Sequence, residues 1–305
     1  MKVSPLILKL FMLISMLNPQ IISAQGFKEQ LIPNGNTQLN VQIYPKAQAE
    51  SIILLHGGPG VPDPMIEIVR ALTESYQVIC FEQRGTGQSH NPDGDYSIEA
   101  YLSDIDAIAD ALDLASFHLF GHSWGGLYAQ IYAQERPTKL KSLFLCSPSS
   151  GTNENWNATE KEVLSFNKQH ATTGEWLSMG WYSLMGMLGS NKAHQRMFYL
   201  VLKNYHKGYA ELTVDKEQLG SIMAAPVNKT RKSILNYPAL KTVPDPSFPI
   251  MLTYGEKDIY GSSRQAVIDR YPTARFVEIK ASGHIPWLHN PGVFERILAD
   301  FYRLN

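Results

Sequence analysis

The chain has 305 residues, 44% of them hydrophobic and 18% charged, with a formal net charge of -1 at pH 7. This is an ordinary globular composition, able to bury a large core as one large domain or as one domain carrying an insertion. The balanced charge and the lack of a Lys/Arg run leave no footing for nucleic acid as a partner.

Residues 1–24 differ from the rest. Lys2 and Lys9 precede an apolar stretch over 10–17, and Ser23-Ala24 offers small residues for cleavage before Gln25. The segment reads as an export signal, which implies a periplasmic or secreted protein. Pro19 and the short apolar run argue against a stable membrane span, so no membrane insertion is expected after cleavage. Export permits disulfides, yet there are only two cysteines, Cys80 and Cys146. Both sit in strand-like apolar runs, and buried free thiols are expected.

From residue 26 the pattern is regular. Apolar runs at 27–31 and 38–44 flank Pro33-Asn34-Gly35-Asn36, a hairpin signal. SIILL at 51–55 is a short strand leading into His56-Gly57-Gly58-Pro59-Gly60. A helix is expected over 65–72, a strand over 78–81 and a turn at Arg84-Gly85-Thr86-Gly87. Ile98, Leu102, Ile105, Ile108, Ala109 and Leu112 recur at helical spacing. A strand at 117–120, a helix ending before Pro137 and a strand at 143–146 follow. Such alternation predicts a mostly parallel sheet with helices on both faces.

The alternation stops at Ser147. Residues 149–237 are helix-like and hold three of the five Trp and five of the ten Met. It resumes with a strand at 249–254, a helix at 264–271, a strand at 275–279 and a closing helix at 293–302. The middle block therefore reads as an insertion between two strands of one sheet, sitting above it as a helical lid. The expected organisation is a signal at 1–24, a core formed by 25–148 with 238–305, and a cap at 149–237.

The chemistry gathers at strand ends. Gly121-His122-Ser123-Trp124-Gly125 lies between a strand and a helix, the setting in which G-x-S-x-G marks an exposed serine on a strained turn. Asp258 follows the strand at 249–254, and His284 follows the one at 275–279. In a parallel sheet these ends share an edge with Ser123. The order Ser123, Asp258, His284 suits a nucleophile, an orienting acid and a general base. Asp245 precedes its strand and belongs at the opposite end. The N–H of Trp124 and one from the 56–60 loop, with Gly58 the candidate, suit an oxyanion. A dinucleotide site is disfavoured because Ser123 occupies the place of the second glycine, and no Walker loop, zinc-helix motif or CxxC pair is present.

Taken together, HGGPG at 56–60, FEQRGTGQS at 81–89, GHSWGG at 121–126, GEKD at 255–258 and SGHIPW at 282–287 resemble the proline iminopeptidase branch of the α/β-hydrolase superfamily. The resemblance implies the α/β-hydrolase fold and an aminopeptidase releasing N-terminal proline or another small residue from a small-molecule or short-peptide substrate. It implies Ser123, Asp258 and His284 as the triad, Gly58 and Trp124 as the oxyanion hole, and no metal or organic cofactor. Glu82 stands where family members commonly have Asp. A carboxylesterase or carbon–carbon bond hydrolase would use the same triad, and a catalytically inactive binding homologue is the non-enzyme alternative.

Recognition of a free amino terminus requires a carboxylate near a buried ammonium. Glu175 stands beside Trp176 and close to Trp181, where aromatic walls suit a small ring. Glu211 and Asp215 share a face if residues 209–219 are helical. At least one of these three is expected to meet the amine.

Overall fold

The computed structural model describes residues 26–209 and 216–304. The expected signal, Glu211 and Asp215 lie outside the described residues.

The described residues open with a hairpin, β1 (Lys28–Asn34) and β2 (Thr37–Tyr44), turning at Gly35 with φ 59°. Then come β3 (Ser51–Leu55), α1 (Ile66–Leu72), β4 (Gln77–Phe81), α2 (Ile98–Ala111), β5 (Phe117–His122), α3 (Trp124–Glu135) and β6 (Leu140–Cys146). Helices α4 (Glu154–His170), α5 (Thr173–Met187), α6 (Asn191–His206), α7 (Lys216–Gly220) and α8 (Ala224–Asn236) follow. The chain ends with β7 (Ile250–Gly255), α9 (Gln265–Arg270), β8 (Arg275–Ile279), α10 (Pro286–His289) and α11 (Pro291–Leu304). Among the described residues eight strands form one sheet in the order β1-β2-β4-β3-β5-β6-β7-β8. β2 pairs antiparallel with β1 and β4, and every pairing from β4 to β8 is parallel.

Sequence explains these elements locally. Strands β3, β5 and β7 are buried along their whole length, which is why they read as apolar runs rather than alternating ones. Helix α2 starts where the Ser97 hydroxyl accepts the Ala100 N–H, with Glu99 in the first turn favouring the positive helix end. On one face of the sheet Phe144 of β6 meets Phe294, Phe301 and Tyr302 of α11. Elsewhere in the core Trp124 and Tyr128 of α3 pack on Tyr101 of α2. Each such fully buried side chain contributes roughly 1.5–3 kcal/mol.

The structure adjusts several expected boundaries. Strand β6 begins at Leu140, three residues before the expected start at 143. The expected helix at 264–271 is a 3-10 turn, Ser262–Arg264, running into the short α9. Helix α10 was not anticipated, because an element only four residues long shows no helical repeat. Cys80 and Cys146 are buried free thiols. Among the described residues, those between β6 and β7 form helices and no strand.

Candidate active site

Parallel pairing from β3 to β8 puts the carboxyl ends of β3, β5, β7 and β8 on one edge. His56, Ser123, Asp258 and His284 follow those ends.

Ser123 caps α3 with φ 55° and ψ −116°, a conformation that side chains rarely adopt. Its N–H donates to the Cys146 carbonyl at 3.2 Å, and its carbonyl accepts the Ser149 N–H at 3.0 Å. The turn is possible because glycines let α3 approach the sheet. A Cβ on Gly121 would strike the Gly125 carbonyl, and one on Gly125 would sit on the Leu55 and His56 carbonyl oxygens. The hydroxyl is thereby held at the N-terminal end of α3, whose unpaired N–H groups favour negative charge.

The three residues meet. His284 Nε2 lies 3.0 Å from Ser123 Oγ, and Nδ1 lies 2.9 Å from Asp258 Oδ1. Asp258 Oδ1 also accepts the Tyr260 N–H at 3.2 Å, while Oδ2 accepts the Ser147 hydroxyl at 2.6 Å and the Gly255 N–H at 3.3 Å. Burial alone would raise the Asp258 pKa. The adjacent His284 and the hydrogen bonds from His284, Ser147 and Tyr260 outweigh it, and the carboxyl stays below its usual range. An ionised Asp258 accepts from Nδ1–H, which leaves the Nε2 lone pair facing Ser123.

Aromatic rings enclose the imidazole. His122, Tyr205 and Tyr260 have ring centroids 4.9, 5.3 and 5.0 Å from that of His284. His122 donates from Nε2 to the His284 carbonyl at 3.0 Å, and burial, then His284, lowers its pKa to about 3. His56 Nε2 accepts the Gln83 N–H at 3.3 Å, with burial lowering its pKa to about 4. Both rings are neutral struts for loops, as their flanking positions suggest.

The 56–60 loop lies against Ser123. A Cβ on Gly57 would stand 2.9 Å from His122 Nδ1 and 3.2 Å from Ser123 Cβ, so glycine permits this close approach. Gly58 adopts φ 55° and faces Val61 and Phe198 of α6. The Trp124 side chain is buried and donates from Nε1 to Gln83 Oε1 at 2.8 Å, leaving its backbone N–H at the head of α3.

The acidic residue of α5 is placed otherwise than expected. Glu175 forms a capping box with Thr172 and an ion pair with Lys203 at 2.5 Å. It lines a surface recess with Ser178, Tyr182, Arg196 and Tyr199 that contains none of Ser123, Asp258 and His284. Among the described residues no hydrogen bond or ring contact joins Glu175 or Trp176 to those three, and Trp181 is exposed. Glu175 is thus engaged as a helix cap and in an ion pair, apart from the three residues that meet.

Sequence reading missed four neighbours. Tyr260 OH lies 3.2 Å from Ser123 Oγ and 2.8 Å from Ser149 Oγ. Ser147 supports Asp258, while Phe198 and Tyr205 of α6 reach Gly58 and His284. Only Tyr260 had a usable signal, since it sits two residues past Asp258 in the same strand-end loop. Glu162 of α4 grips that loop, accepting the Gly261 N–H at 2.8 Å and both the N–H and hydroxyl of Ser263 at 3.0 and 2.5 Å. Among the described residues no group of three or more His, Cys, Asp or Glu is arranged to hold a metal ion, and no helix is long and apolar enough to cross a membrane.

Comparison with known proteins agrees with this fold. A family model described as the alpha/beta hydrolase fold matches residues 50–175. A proline iminopeptidase of Lactobacillus delbrueckii subsp. bulgaricus is 25% identical over 289 residues, spanning 90% of this chain and 97% of that protein. The crystal structure of a Mycobacterium smegmatis proline iminopeptidase superposes with a TM-score of 0.65 at 18% identity, covering 90% of this chain and 98% of its own. That of VinJ gives 0.67 at 15% identity, covering 90% and 97%. The chain has the α/β-hydrolase fold and is similar along nine-tenths of its length to proline iminopeptidases.

Proposed function

We propose that the protein is a serine hydrolase that removes N-terminal proline, or another small residue, from short peptides through an acyl-enzyme on Ser123. The observation that carries this reading is the hydrogen-bonded line from Asp258 through His284 to Ser123. Similarity over 97% of a proline iminopeptidase, at 25% identity, supports the substrate class. In this reading His284 Nε2 takes the Ser123 proton as Oγ attacks the scissile carbonyl. Asp258 holds the Nδ1–H tautomer and stabilises the imidazolium. The N–H groups of Gly58 and Trp124 receive the oxyanion at the head of α3. His284 then protonates the leaving amine, and a water activated by the same ring releases the acid. Helices α4–α8 act as the cap over the site, and residues 1–24 direct export.

A second reading, hydrolysis of simple acyl esters, is favoured by the uncharged aromatic surroundings of His284 and Gly58, namely Tyr205, Tyr260 and Phe198. One comparison separates the two. Turnover of prolyl anilide is expected to exceed that of its N-acetylated counterpart by at least about tenfold in kcat/KM, equal to roughly 1.4 kcal/mol of discrimination. Equal turnover of blocked and unblocked substrates would reject the aminopeptidase reading in favour of an esterase.

A further inference from the structure

Tyr260 touches every member of the Ser123–His284–Asp258 line. Its hydroxyl lies 3.2 Å from Ser123 Oγ, its ring stands edge-on to His284 at 5.0 Å, and its N–H donates to Asp258 at 3.2 Å. The side chain is buried, and its hydroxyl has one further partner, Ser149 Oγ, at 2.8 Å.

Counting protons fixes the direction of these bonds. Asp258 is ionised, so His284 Nδ1–H donates to it, and in the neutral ring that the general-base reading requires, Nε2 accepts. The single Ser123 hydroxyl proton therefore goes to Nε2. For the contact with Tyr260 to be a hydrogen bond, Tyr260 must donate to Ser123 Oγ, and the Ser149 hydroxyl must donate to Tyr260. Burial pushes the Tyr260 phenol up to about 12, so it carries its proton at neutral pH. The result is a directed chain: Ser149 to Tyr260 to Ser123 to His284.

We propose that Tyr260 is a catalytic hydrogen-bond donor to the Ser123 oxygen, acting chiefly when that oxygen is the leaving group in deacylation. This rests on Ser123 being the nucleophile. In the free enzyme the donor already bonds a hydroxyl oxygen, so its effect on attack is largely present in the ground state and cancels. In the acyl-enzyme Ser123 Oγ is an ester oxygen, a poor acceptor. In deacylation His284 takes a proton from water as the water oxygen bonds to the acyl carbon. The tetrahedral intermediate then collapses, the bond from carbon to Oγ breaks, and the electron pair goes to Oγ, which takes the proton back from His284. Tyr260 keeps its own proton throughout and strengthens its bond as charge gathers on Oγ. Its stabilisation is thus realised in the transition state of this half-reaction.

The test is pre-steady-state hydrolysis of p-nitrophenyl acetate by the full protein and its Tyr260→Phe variant, with the acetyl-enzyme followed by intact mass. The ring stays in place, so packing around His284 is kept. Loss of one neutral donor to a developing charge is expected to slow deacylation about tenfold. The acylation constant should change by less than about twofold, and acetyl-enzyme on Ser123 should accumulate. Ser149→Ala, which removes the donor behind Tyr260, should shift the same ratio in the same direction by a smaller factor. Equal slowing of both constants would make Tyr260 a positioning residue only. No change in either would mean the contact is idle, and either result overturns the proposal. Failure of wild-type enzyme to form an acetyl adduct that Ser123→Ala abolishes would instead defeat the serine mechanism, and this proposal with it.

Discussion

Replacing Asp258 by Asn probes the arrangement at its most buried point. The carboxylate is fully enclosed and accepts four hydrogen bonds, from His284 Nδ1–H and Tyr260 N–H on one oxygen and from Ser147 and Gly255 N–H on the other. Ser147 can turn its hydroxyl to accept, but the two backbone N–H groups cannot. Either orientation of an Asn amide therefore sets its NH2 against Gly255 N–H or against Tyr260 N–H. The larger loss is electrostatic. An imidazolium about 4 Å from a carboxylate at an effective dielectric of about 20 is stabilised by roughly 4 kcal/mol. Without that charge the barrier to taking the Ser123 proton rises by a similar amount, close to three orders of magnitude in rate. Asp245, exposed and ahead of β7, serves as the control. The assay is kcat/KM on prolyl anilide for Asp258→Asn and Asp245→Asn, with thermal melting to verify folding. Asp258→Asn should lose about a thousandfold and Asp245→Asn less than about twofold. A folded Asp258→Asn enzyme with a tenth of normal activity, or a larger loss in Asp245→Asn, would refute the reasoning.

Other perturbations test the scaffold. Glu162→Ala should lower stability by about 1 kcal/mol, since solvent screens this partly exposed carboxylate. Burial raises the Glu162 pKa, but hydrogen bonds from Ser263, Ser262 and Gly261 outweigh it and hold it below its usual value. Its contribution is therefore complete above the unfolded pKa, near about 4.3, and fades as pH falls through the folded value. Chemical denaturation of wild type and variant should differ at pH 7 and converge in acid; a gap that widens in acid would contradict the assignment. Glu175→Gln should reduce the melting temperature slightly yet leave the ratio of unblocked to blocked anilide turnover unchanged, whereas a selective loss on the unblocked substrate would restore it as an amine contact. Arg84 and Asp104 form a buried bidentate pair, so Arg84→Ala should cost about 3–5 kcal/mol in urea unfolding by leaving Asp104 uncompensated. A loss below about 1 kcal/mol would show that solvent reaches the pair. Gly125→Ala should fail to give soluble protein, because its Cβ meets rigid backbone oxygens; a folded, active variant would mean that α3 can move away from β3.

What was legible in the sequence follows from how local each signal is. Strands β3 and β8 have their expected boundaries because a short apolar run is bounded on both sides by turn residues. Ser123, Asp258 and His284 were readable since each follows a strand, and parallel pairing brings those ends together. The capping role of Glu175 was overlooked for a physical reason. Neighbours in a helix point about 100° apart, so adjacency to Trp176 in sequence gives no shared face. The sequence did hold the better reading, because Thr172-Thr173-Gly174-Glu175 is a capping-box pattern. Tyr205 and Phe198 were invisible because their roles depend on where α6 crosses the loops of β3 and β8. Ser147 looked like the start of a loop, and its bond to Asp258 spans 111 residues. Tertiary placement supplies these contacts, and no local periodicity encodes it.

The most direct test of the account is covalent capture of Ser123. Intact mass spectrometry after treatment with a fluorophosphonate, with peptide mapping of the adduct, reads out the nucleophile without assuming a substrate. Wild-type protein should take up one equivalent, mapped to Ser123. Ser123→Ala should take up none, with anilide turnover falling by several orders of magnitude while the melting transition is retained. A labelled Ser123→Ala protein, or one that keeps a tenth of wild-type turnover, would contradict the claim that Ser123 performs the chemistry.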